Sequence, residues 1–420
     1  MKRGILLLTA LLSALLMLVS CTDFGTESTP IFSEQQVSVI DLPSGGSDPA
    51  DSSEPESSWQ PTSGHHAIPS RQQRIPSFQP LSTHYFYNSL TTVQKNLYAY
   101  FYDHQVKMKS GYTDSFLCRY EDIQIAEFAT RCDHPEIFWV PASYMIGSTQ
   151  GTSLYAISYQ GYTHFSTTVL SMQTKLQEAA DAFARTLSPE QTEYEVALAA
   201  HDWLANRVEY DSKAAEHEAD YPDSFTAYGA LVKGKAVCEG YAKAYQLLLN
   251  RVGMNCITVN GALSADSTAG HMWNMVQVGT SWYHVDVTSD DQQVLTHFRF
   301  MQSDASFRAK GYVIDGPYDG NDPEASFNIN RPAGFSNQAD YYRMTGYLID
   351  SMTPGETLTD ALKRAASQGK KSLELYVSDA IGADLFDIQF YCKDLTVPGI
   401  KGLHVAVIGT SNREFILYWQ

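Results

Sequence analysis

Three side chains have the types that together activate a sulfur nucleophile: Cys238, His271 and Asp286. A cysteine reacts as its thiolate, a neighbouring histidine takes up the proton, and a carboxylate orients the histidine. Taken singly, each residue has an ordinary structural explanation, as a small residue at a helix end, a core or surface histidine, or a carboxylate at a strand end. Only a fold that brings the three together makes them a catalytic set.

The segment around Cys238 predicts a helix that begins at the cysteine. Tyr241, Tyr245 and Leu248 recur at helical spacing, and Gly253 is a C-terminal stop signal. Unpaired backbone N–H groups and the positive end of the helix dipole favour a thiolate at such a position. The same N–H groups could hold an oxyanion, so we predict that the helix start activates the thiol.

Two strand-like runs joined at Gly279-Thr280 predict a β-hairpin that carries the other two residues. A two-residue turn pairs Val278 with Ser281 and makes Asp286 a diagonal neighbour of His271. Diagonal neighbours lie roughly 7 to 8 Å apart, which an imidazole and a carboxylate can bridge. A register shifted by one residue turns Asp286 to the other face, so the prediction depends on the turn.

The composition and the N-terminus limit the function of the chain. Its 420 residues carry 29 basic and 47 acidic side chains, and the net charge of −18 disfavours a nucleic-acid partner, which needs a basic face. Lys2 and Arg3 precede an apolar run over residues 5–19, shorter than the ~20 residues of a spanning helix and typical of a secretory signal. Leu18-Val19-Ser20-Cys21 resembles the bacterial lipobox. We therefore expect lipid on Cys21 and a location at the outer face of the bacterial cytoplasmic membrane.

Shifts in composition and periodicity divide the chain into six predicted segments. These are a lipoprotein signal peptide (1–20), a disordered tether rich in Ser, Pro, Gly and acidic residues (21–80), an N-terminal helix-plus-strand module (81–165), a catalytic domain (166–314), a linker (315–338) and a C-terminal α/β module (339–420). Helix signals include a capped start at Ser188-Pro189. In the C-terminal module, residues 341–348 read as a strand. The predicted fold class is α+β.

Taken in order, the motifs around Cys238, His271 and Asp286 resemble the transglutaminase-like superfamily of papain-related thiol enzymes. The resemblance covers about residues 195–308 and is carried by His201-Asp202-Trp203-Leu204 with Tyr210-Asp211, residues 234–249, Gly270-His271-Met272-Trp273-Asn274-Met275-Val276, Trp282-Tyr283-His284-Val285-Asp286-Val287-Thr288 and Phe300-Met301-Gln302-Ser303-Asp304. It implies a papain/transglutaminase-like core, in which the helix carrying the cysteine packs on an antiparallel sheet. The flanking modules, including residues 341–377, look like those of bacterial surface members.

By this resemblance, Cys238 is the nucleophile, His271 the base and Asp286 the orienting acid of an enzyme that acts on amides through a thioester. Water would resolve the thioester in a peptidase or amidase, and an amine would resolve it in a transglutaminase. The implied substrate is a peptide or protein amide, with cell-wall peptide among the candidates. Two groups are candidate oxyanion donors: the side chain of Tyr228 and the backbone N–H of Cys238. Many members carry a Trp shortly after the acid, whereas Ser289-Asp290-Asp291 follow here.

Two other functions remain open from the sequence. The first is a catalytically silent binding or scaffold lipoprotein of the same fold at the cell surface. The second is a zinc site that uses Cys238 and His271 with Cys256, His284 or His201. Structural zinc usually has close-spaced ligand pairs, which the sequence lacks, so we expect neither a metal nor another cofactor.

The six cysteines leave the disulfides undecided. Export permits disulfide bonds, and Cys118 and Cys132 are the nearest pair in sequence. Spacing alone cannot establish which of Cys118, Cys132, Cys256 and Cys392 pair. The oligomeric state is equally open.

Overall fold

The computed structural model describes most of the chain from Leu81 onward and one short piece before it. The described residues are 39–41, 81–109, 113, 115–141, 144–148, 153–159, 161–264, 270–292, 294–314, 331–351, 355–378, 380–381, 387–392, 395–408 and 413–420. The predicted signal segment, Cys21 and nearly all of the predicted tether lie outside these residues. Within the described ranges, no helix combines the length and the apolar character needed to cross a bilayer.

The N-terminal module packs helices against a four-stranded sheet. Its elements are helices α1 (Tyr85–Ser89), α2 (Thr92–Val106) and α3 (Tyr120–Asp133) and strands β1 (Val39–Asp41), β2 (Phe116–Leu117), β3 (Met145–Ser148) and β4 (Leu154–Ser158). The strand order is β1-β3-β4-β2, with β1 parallel to β3 and the other pairs antiparallel. A capping box between Thr91 and Gln94 fixes the start of α2.

Strand β1 lies within the predicted tether. The composition predicts a disordered tether over residues 21–80, but Val39–Asp41 pair with Ile146, Gly147 and Ser148 of β3. The edge of β3 offers unpaired backbone groups, and the β-branched residues Val39 and Ile40 suit an added strand. These three residues are the described part of the predicted tether, its remainder lies outside the described part of the chain, and the disordered tether stays a prediction.

The central segment contains the helix that carries Cys238 and a three-stranded sheet. Its helices are α4 (Ser166–Ala184), α5 (Glu193–Ala205), α6 (Ser212–Glu216), α7 (Cys238–Arg251), α8 (Val287–Asp290) and α9 (Asp304–Ala309). Its strands are β5 (Glu209–Tyr210), β6 (Lys235–Ala236), β7 (Cys256–Gly261), β8 (His271–Val278) and β9 (Ser281–Val285). Short 3-10 turns span Glu218–Asp220 and Pro222–Phe225, and a π-helical turn spans Gly229–Lys233.

Strands β7, β8 and β9 form an antiparallel sheet in that order, and β5 pairs with β6 in parallel. Helix α7 packs on this sheet. The α+β class predicted from the sequence is confirmed.

Helix α5 begins later than the sequence predicts. The Ser188-Pro189 signal closes a turn instead, because Gln191 N donates to Ser188 O and Ser188 N donates to Gln191 Oε1. Thr192 is the cap residue, and it forms a reciprocal capping box with Glu195. A capping box satisfies two donors of the first helical turn, so the helix starts after Thr192 and the predicted start is wrong.

The C-terminal module is a second small α/β unit. Its elements are α10 (Tyr341–Thr345), β10 (Leu348–Ile349), α11 (Gly355–Ser367), β11 (Ser372–Val377), α12 (Ile388–Cys392), β12 (His404–Ile408) and β13 (Glu414–Tyr418), with the strand order β10-β11-β13-β12. The predicted strand over 341–348 is wrong. The Asp340 side chain caps a helix by accepting from Tyr342 N and Arg343 N, and Gly346 ends that helix at a φ of 71°.

The sheet of β7 to β9 is buried on both faces. Cys256 and Val276 lie in the core shared with α7, whereas Ile257, Trp273 and Met275 lie in the core of the N-terminal module. This arrangement explains why β8 carries adjacent apolar residues, Met272-Trp273 and Met275-Val276, whose side chains lie on opposite faces. The N-terminal module therefore covers the sheet face to which Trp273 belongs.

Candidate active site

Cys238 is the first residue of α7, as the sequence predicts. Tyr241, Tyr245 and Leu248 are at most 1% exposed, so the predicted apolar face of this helix is confirmed. Among the described residues, no side chain caps the helix at Val237. The sulfur thus lies at the positive end of the helix dipole, where the backbone N–H groups of the first turn have no capping side chain.

A hydrogen-bonded segment before Cys238 fixes the first turn of α7. Ser224 Oγ donates to Asp211 Oδ2 at 2.8 Å, and Val237 N donates to Ser224 O at 2.9 Å. A Cβ atom at Gly240 would lie only 2.5 Å from Ser224 O, so glycine permits the close approach of the two segments. Asp211, from the Tyr210-Asp211 motif, therefore stabilises the backbone on which Cys238 is placed.

The hairpin has the register that the sequence predicts. Val278 pairs with Ser281 across the turn, where Gly279 has a φ of 61°, and β9 ends one residue before Asp286. His271 Nε2 lies 2.8 Å from Asp286 Oδ2. The predicted contact between the imidazole and the carboxylate is confirmed, and it forms because the turn residues place both side chains at the same end of the hairpin.

Asp286 is a buried carboxylate with several donors. Besides His271, the hydroxyl groups of Ser289 and Tyr312 donate to Oδ2 at 2.6 Å each, and Ser289 N donates to Oδ1 at 3.2 Å. Burial alone would raise the pKa of Asp286, but the charge on His271 and these hydrogen bonds lower the pKa to about 2. Asp286 is therefore ionised throughout the neutral range.

His271 lies between two groups that favour its charged form. Burial disfavours the imidazolium, but the Asp286 carboxylate and then the Cys238 sulfur outweigh burial and raise the pKa of His271 to about 10. Because Nε2 faces Asp286, Nδ1 is the nitrogen that can exchange a proton with the sulfur. A protonated imidazole beside a cysteine at a helix start favours a thiolate–imidazolium pair.

Three other thiols lie in environments that disfavour the thiolate. Burial, with a contribution from Asp122, raises the pKa of Cys118 to about 12, and burial raises the pKa of Cys392 to about 11. The pKa of the fully buried Cys256 is raised well above its usual value. None of the five cysteines that the structure describes forms a disulfide bond, and this includes the pair Cys118 and Cys132.

Tyr228, the candidate oxyanion donor, precedes the π-helical turn that leads into β6. Its ring is buried and stacks on Phe138, with the ring centroids 4.7 Å apart and the planes at 24°. This stacking gives Tyr228 a packing role. Its function as an oxyanion donor stays a prediction, as does that of the Cys238 backbone N–H.

Three residues that were not predicted from the sequence hold the site together. Asn274 Nδ2 donates to Ala242 O at 2.9 Å and to Ile257 O at 3.2 Å, which joins α7 to the sheet. Its position within the motif around His271 was the available signal. Ser289 stands close to where many family members carry a Trp. Tyr312 lies outside the resembling segment, and no sequence motif marks it.

Two residues of the zinc alternative have other partners. His284 Nδ1 accepts from Trp273 Nε1 at 2.9 Å, and His284 Nε2 lies 2.9 Å from Asp304 Oδ1. Cys256 lies in the core between α7 and the sheet. His201, the remaining candidate, belongs to a separate cluster with Asp202 and His297.

A helix that begins at a cysteine and packs on an antiparallel sheet with a His–Asp pair is the arrangement of papain-related thiol proteins. Residues 181–287 match the family model of the transglutaminase-like superfamily. The chain therefore contains a transglutaminase-like domain, a class related to cysteine proteases and transglutaminases, and the matched range includes Cys238, His271 and Asp286.

Individual relatives share only part of the chain. Kyphoscoliosis peptidase of Mus musculus and that of Homo sapiens are each 30% identical over 95 residues, which cover 20% of this chain. The match spans only 14% of the length of each relative. A crystal structure of a TGase shows 14% identity and a TM-score of 0.27, covering 47% of this chain and 56% of that chain.

Proposed function

We propose that the protein is a membrane-anchored extracellular thiol enzyme of transglutaminase-like type. It cleaves or transfers the acyl group of an amide through a thioester on Cys238. The observation that carries the proposal is the 2.8 Å contact between His271 Nε2 and Asp286 Oδ2, with the Cys238 sulfur interacting with the same imidazole. The name peptidase of the mouse and human relatives supports amide cleavage as the reaction class.

The proposed reaction uses each of the three residues once per half-reaction. The Cys238 thiolate attacks the amide carbonyl carbon, a C–S bond forms, and first-turn backbone N–H groups of α7 stabilise the oxyanion. The His271 imidazolium donates its proton to the leaving nitrogen as the C–N bond breaks. Water or an amine then loses a proton to His271 while it attacks the thioester, and the thiolate departs. Asp286 stays ionised and stabilises the imidazolium.

The substrate class and the location belong to the same proposal. A peptide, isopeptide or side-chain amide supplies the acyl group, with cell-wall peptide as one candidate. The lipobox-like sequence ending at Cys21 supports a lipid anchor at the outer face of the bacterial cytoplasmic membrane. The −18 net charge supports a partner other than nucleic acid.

A thiol-directed amide mimic tests the reaction class. We expect labelling of the wild type, none of Cys238→Ala, and a labelling rate at least about 100-fold lower for His271→Ala, the range of general acid–base catalysis. Cys118→Ala is the matched control and should label like the wild type, because burial and Asp122 raise the pKa of Cys118 to about 12. Equal labelling of all variants would contradict the proposal.

The same experiment separates the enzyme from a silent scaffold. A wild-type chain with native circular dichroism but no labelling and no turnover of peptide and glutamine-amide libraries would support the scaffold function. In that case, ligand capture should survive Cys238→Ser.

A further inference from the structure

A second cluster of histidine and carboxylate side chains lies outside the Cys238 site. His201 and Asp202 of α5 meet His297, which lies between α8 and α9, and one ligand atom from each lies within 4.8 Å of the others. His201 Nδ1 and His297 Nε2 are each 2.9 Å from the same atom, Asp202 Oδ1. Two imidazole nitrogens therefore converge on one carboxylate oxygen.

A further carboxylate holds the far side of each imidazole. His201 Nε2 lies 3.2 Å from Asp290 Oδ2, and His297 Nδ1 lies 3.0 Å from Glu374 Oε1. Other donors fix these two carboxylates in turn, namely Arg299 N, Thr296 Oγ1 and Tyr342 Oη. Carboxylates that accept the outer N–H of ligating histidines orient the rings in the same way in metal sites.

The protons of this cluster do not balance when both imidazoles are neutral. A neutral imidazole has a single N–H, whereas each ring faces a carboxylate at both nitrogens. If His201 and His297 donate outward, two nitrogen lone pairs meet the Asp202 oxygen without a donor. If the rings instead donate toward Asp202, the lone pairs of the two outer nitrogens face Asp290 and Glu374 without a donor. A cation bound between the two rings and Asp202 would relieve this conflict, as would extra protons on the rings, whose centroids lie 5.1 Å apart, or on the buried Asp290 carboxylate.

We propose that His201, Asp202 and His297 bind a divalent transition-metal ion, with Zn²⁺ as the expected metal. Two histidine nitrogens and one carboxylate oxygen suit zinc and related ions, whereas Ca²⁺ and Mg²⁺ prefer oxygen ligands alone. Ligand atoms of a tetrahedral zinc site lie about 3.3 Å apart, so the 2.9 Å separations need only a small expansion. The Asp202 side chain is 39% exposed, which gives water access to a fourth position.

The site would connect parts of the chain that are far apart in sequence. His201 and Asp202 belong to the helix before the Cys238 segment, and Glu374 belongs to β11 of the C-terminal module. A bound ion would hold His297 against α5 on one side and against Glu374 of β11 on the other. Metal binding would therefore stabilise the junction between the central segment and the C-terminal module. This role is independent of the chemistry of Cys238.

Metal analysis of the full chain tests the proposal. The chain is stripped with a chelator, incubated with Zn²⁺, passed through gel filtration and analysed by mass spectrometry for bound metal. We expect close to one zinc ion per wild-type chain and a higher unfolding temperature with zinc than without it. Asp202→Asn and His297→Gln should lose both effects. Glu374→Gln, which removes an outer carboxylate, should weaken zinc affinity about 10- to 100-fold.

A histidine outside the cluster provides the control for the loss of an imidazole. His217 is exposed, so His217→Gln should keep the stoichiometric ion and the thermal shift. A wild-type chain without stoichiometric zinc would overturn the proposal whether or not the variants fold, and it would favour extra protons within the cluster. Zinc that remains unchanged in Asp202→Asn and His297→Gln would also overturn it, because the ion would then lie elsewhere.

Discussion

The reactivity proposed for Cys238 depends on how charge is arranged around one imidazole. His271 has an anionic partner at Nε2 and a sulfur as a second partner, and its pKa is raised to about 10. Cys118 lacks such a partner, and burial together with the nearby Asp122 carboxylate raises its thiol pKa to about 12. The two cysteines therefore have different electrostatic surroundings, and we propose that this difference makes Cys238 the nucleophile.

The rate of probe labelling should depend on pH through His271. The imidazolium is present below its folded pKa of about 10, so we expect the wild-type rate to fall as pH rises through that value. Asp286→Asn removes the carboxylate that raises this pKa, so the alkaline limb should move to lower pH. A pH–rate profile of labelling measures the limb for both proteins.

Ser289→Ala is the control for this shift, because it removes a donor to Asp286 but keeps the carboxylate charge. Its alkaline limb should stay close to that of the wild type. Superimposable profiles of wild type and Asp286→Asn would contradict the charge arrangement. The raised pKa also contributes folding stability that is fully present below the unfolded pKa of 6.5 and is lost as pH rises through about 10.

Residue types and strand periodicity were sufficient to predict the position of Cys238 at a helix start and the contact between His271 and Asp286. They could not select Tyr312, which donates to Asp286 from 26 positions away through a tertiary contact. The pKa of His271 was likewise beyond sequence reasoning, since it depends on burial and on distances to both neighbours.

At the scale of elements, Asn274 links α7 to the sheet. Its amide donates to Ala242 O, one helical turn after Cys238, and to Ile257 O in β7. Asn274 belongs to β8, the strand that begins at His271, so this side chain fixes the cysteine helix against the strand that carries the histidine. It is 1% exposed, and its two acceptors would lose their partner if it were removed.

Asn274→Ala should destabilise the protein by about 1–3 kcal/mol, the cost of leaving buried polar groups unpaired. It should also lower the labelling rate in the folded variant, because α7 can shift relative to β8. Urea denaturation measures the first effect and probe kinetics the second. Gln277→Ala, on the same strand but half-buried, should change stability by no more than about 0.5 kcal/mol. Equal effects of the two substitutions would contradict the linking role.

Short sequence signals predicted an element correctly where neighbouring residues favour one backbone conformation and no competing signal is present. The turn at Gly279 and the start of α7 belong to this class, because each follows from two or three adjacent residues. The run over 341–348 misled the prediction because the Asp340 cap and Gly346 override its strand-like pattern. The start of α5 was missed because two cap signals lie four residues apart, at Ser188 and Thr192.

At the scale of the whole molecule, buried charges join the C-terminal module to the central segment. Glu414 of β13 accepts from Arg299 Nη1 and from Lys310 Nζ, each at 2.8 Å. The side chains of Glu414 and Lys310 are 4% and 6% exposed. Removing one partner of such a cluster leaves an uncompensated buried charge.

Glu414→Gln should therefore destabilise the protein by about 3–5 kcal/mol, as breaking a buried ion pair typically does. Denaturant unfolding followed by circular dichroism measures the change. The control is Glu209→Gln, whose partner Lys235 lies 3.6 Å away in an exposed pair, and its effect should stay within about 1 kcal/mol. If Glu414→Gln and Glu209→Gln both lowered the free energy of unfolding by less than about 1 kcal/mol, a stabilising role for the Glu414 ion pairs would be contradicted.

None of these junction contacts could be predicted from the sequence, because Arg299 and Glu414 are 115 positions apart and no motif relates them. The packing of the N-terminal module on the sheet could not be predicted either. It places Trp273 in one core with residues that lie far upstream in the sequence. The domain boundaries and the lipid anchor on Cys21 stay predictions.

The most direct test of the central claim locates the covalent adduct in the wild-type chain. Trypsin cleaves after Lys235 and Lys243, so residues 236–243 form a peptide in which Cys238 is the single cysteine. After reaction with the amide mimic, tandem mass spectrometry should find the adduct on the Cys238 sulfur of this peptide. An adduct on Cys118 or Cys392 instead, or an unmodified 236–243 peptide from folded protein, would contradict the assignment of Cys238 as the nucleophile.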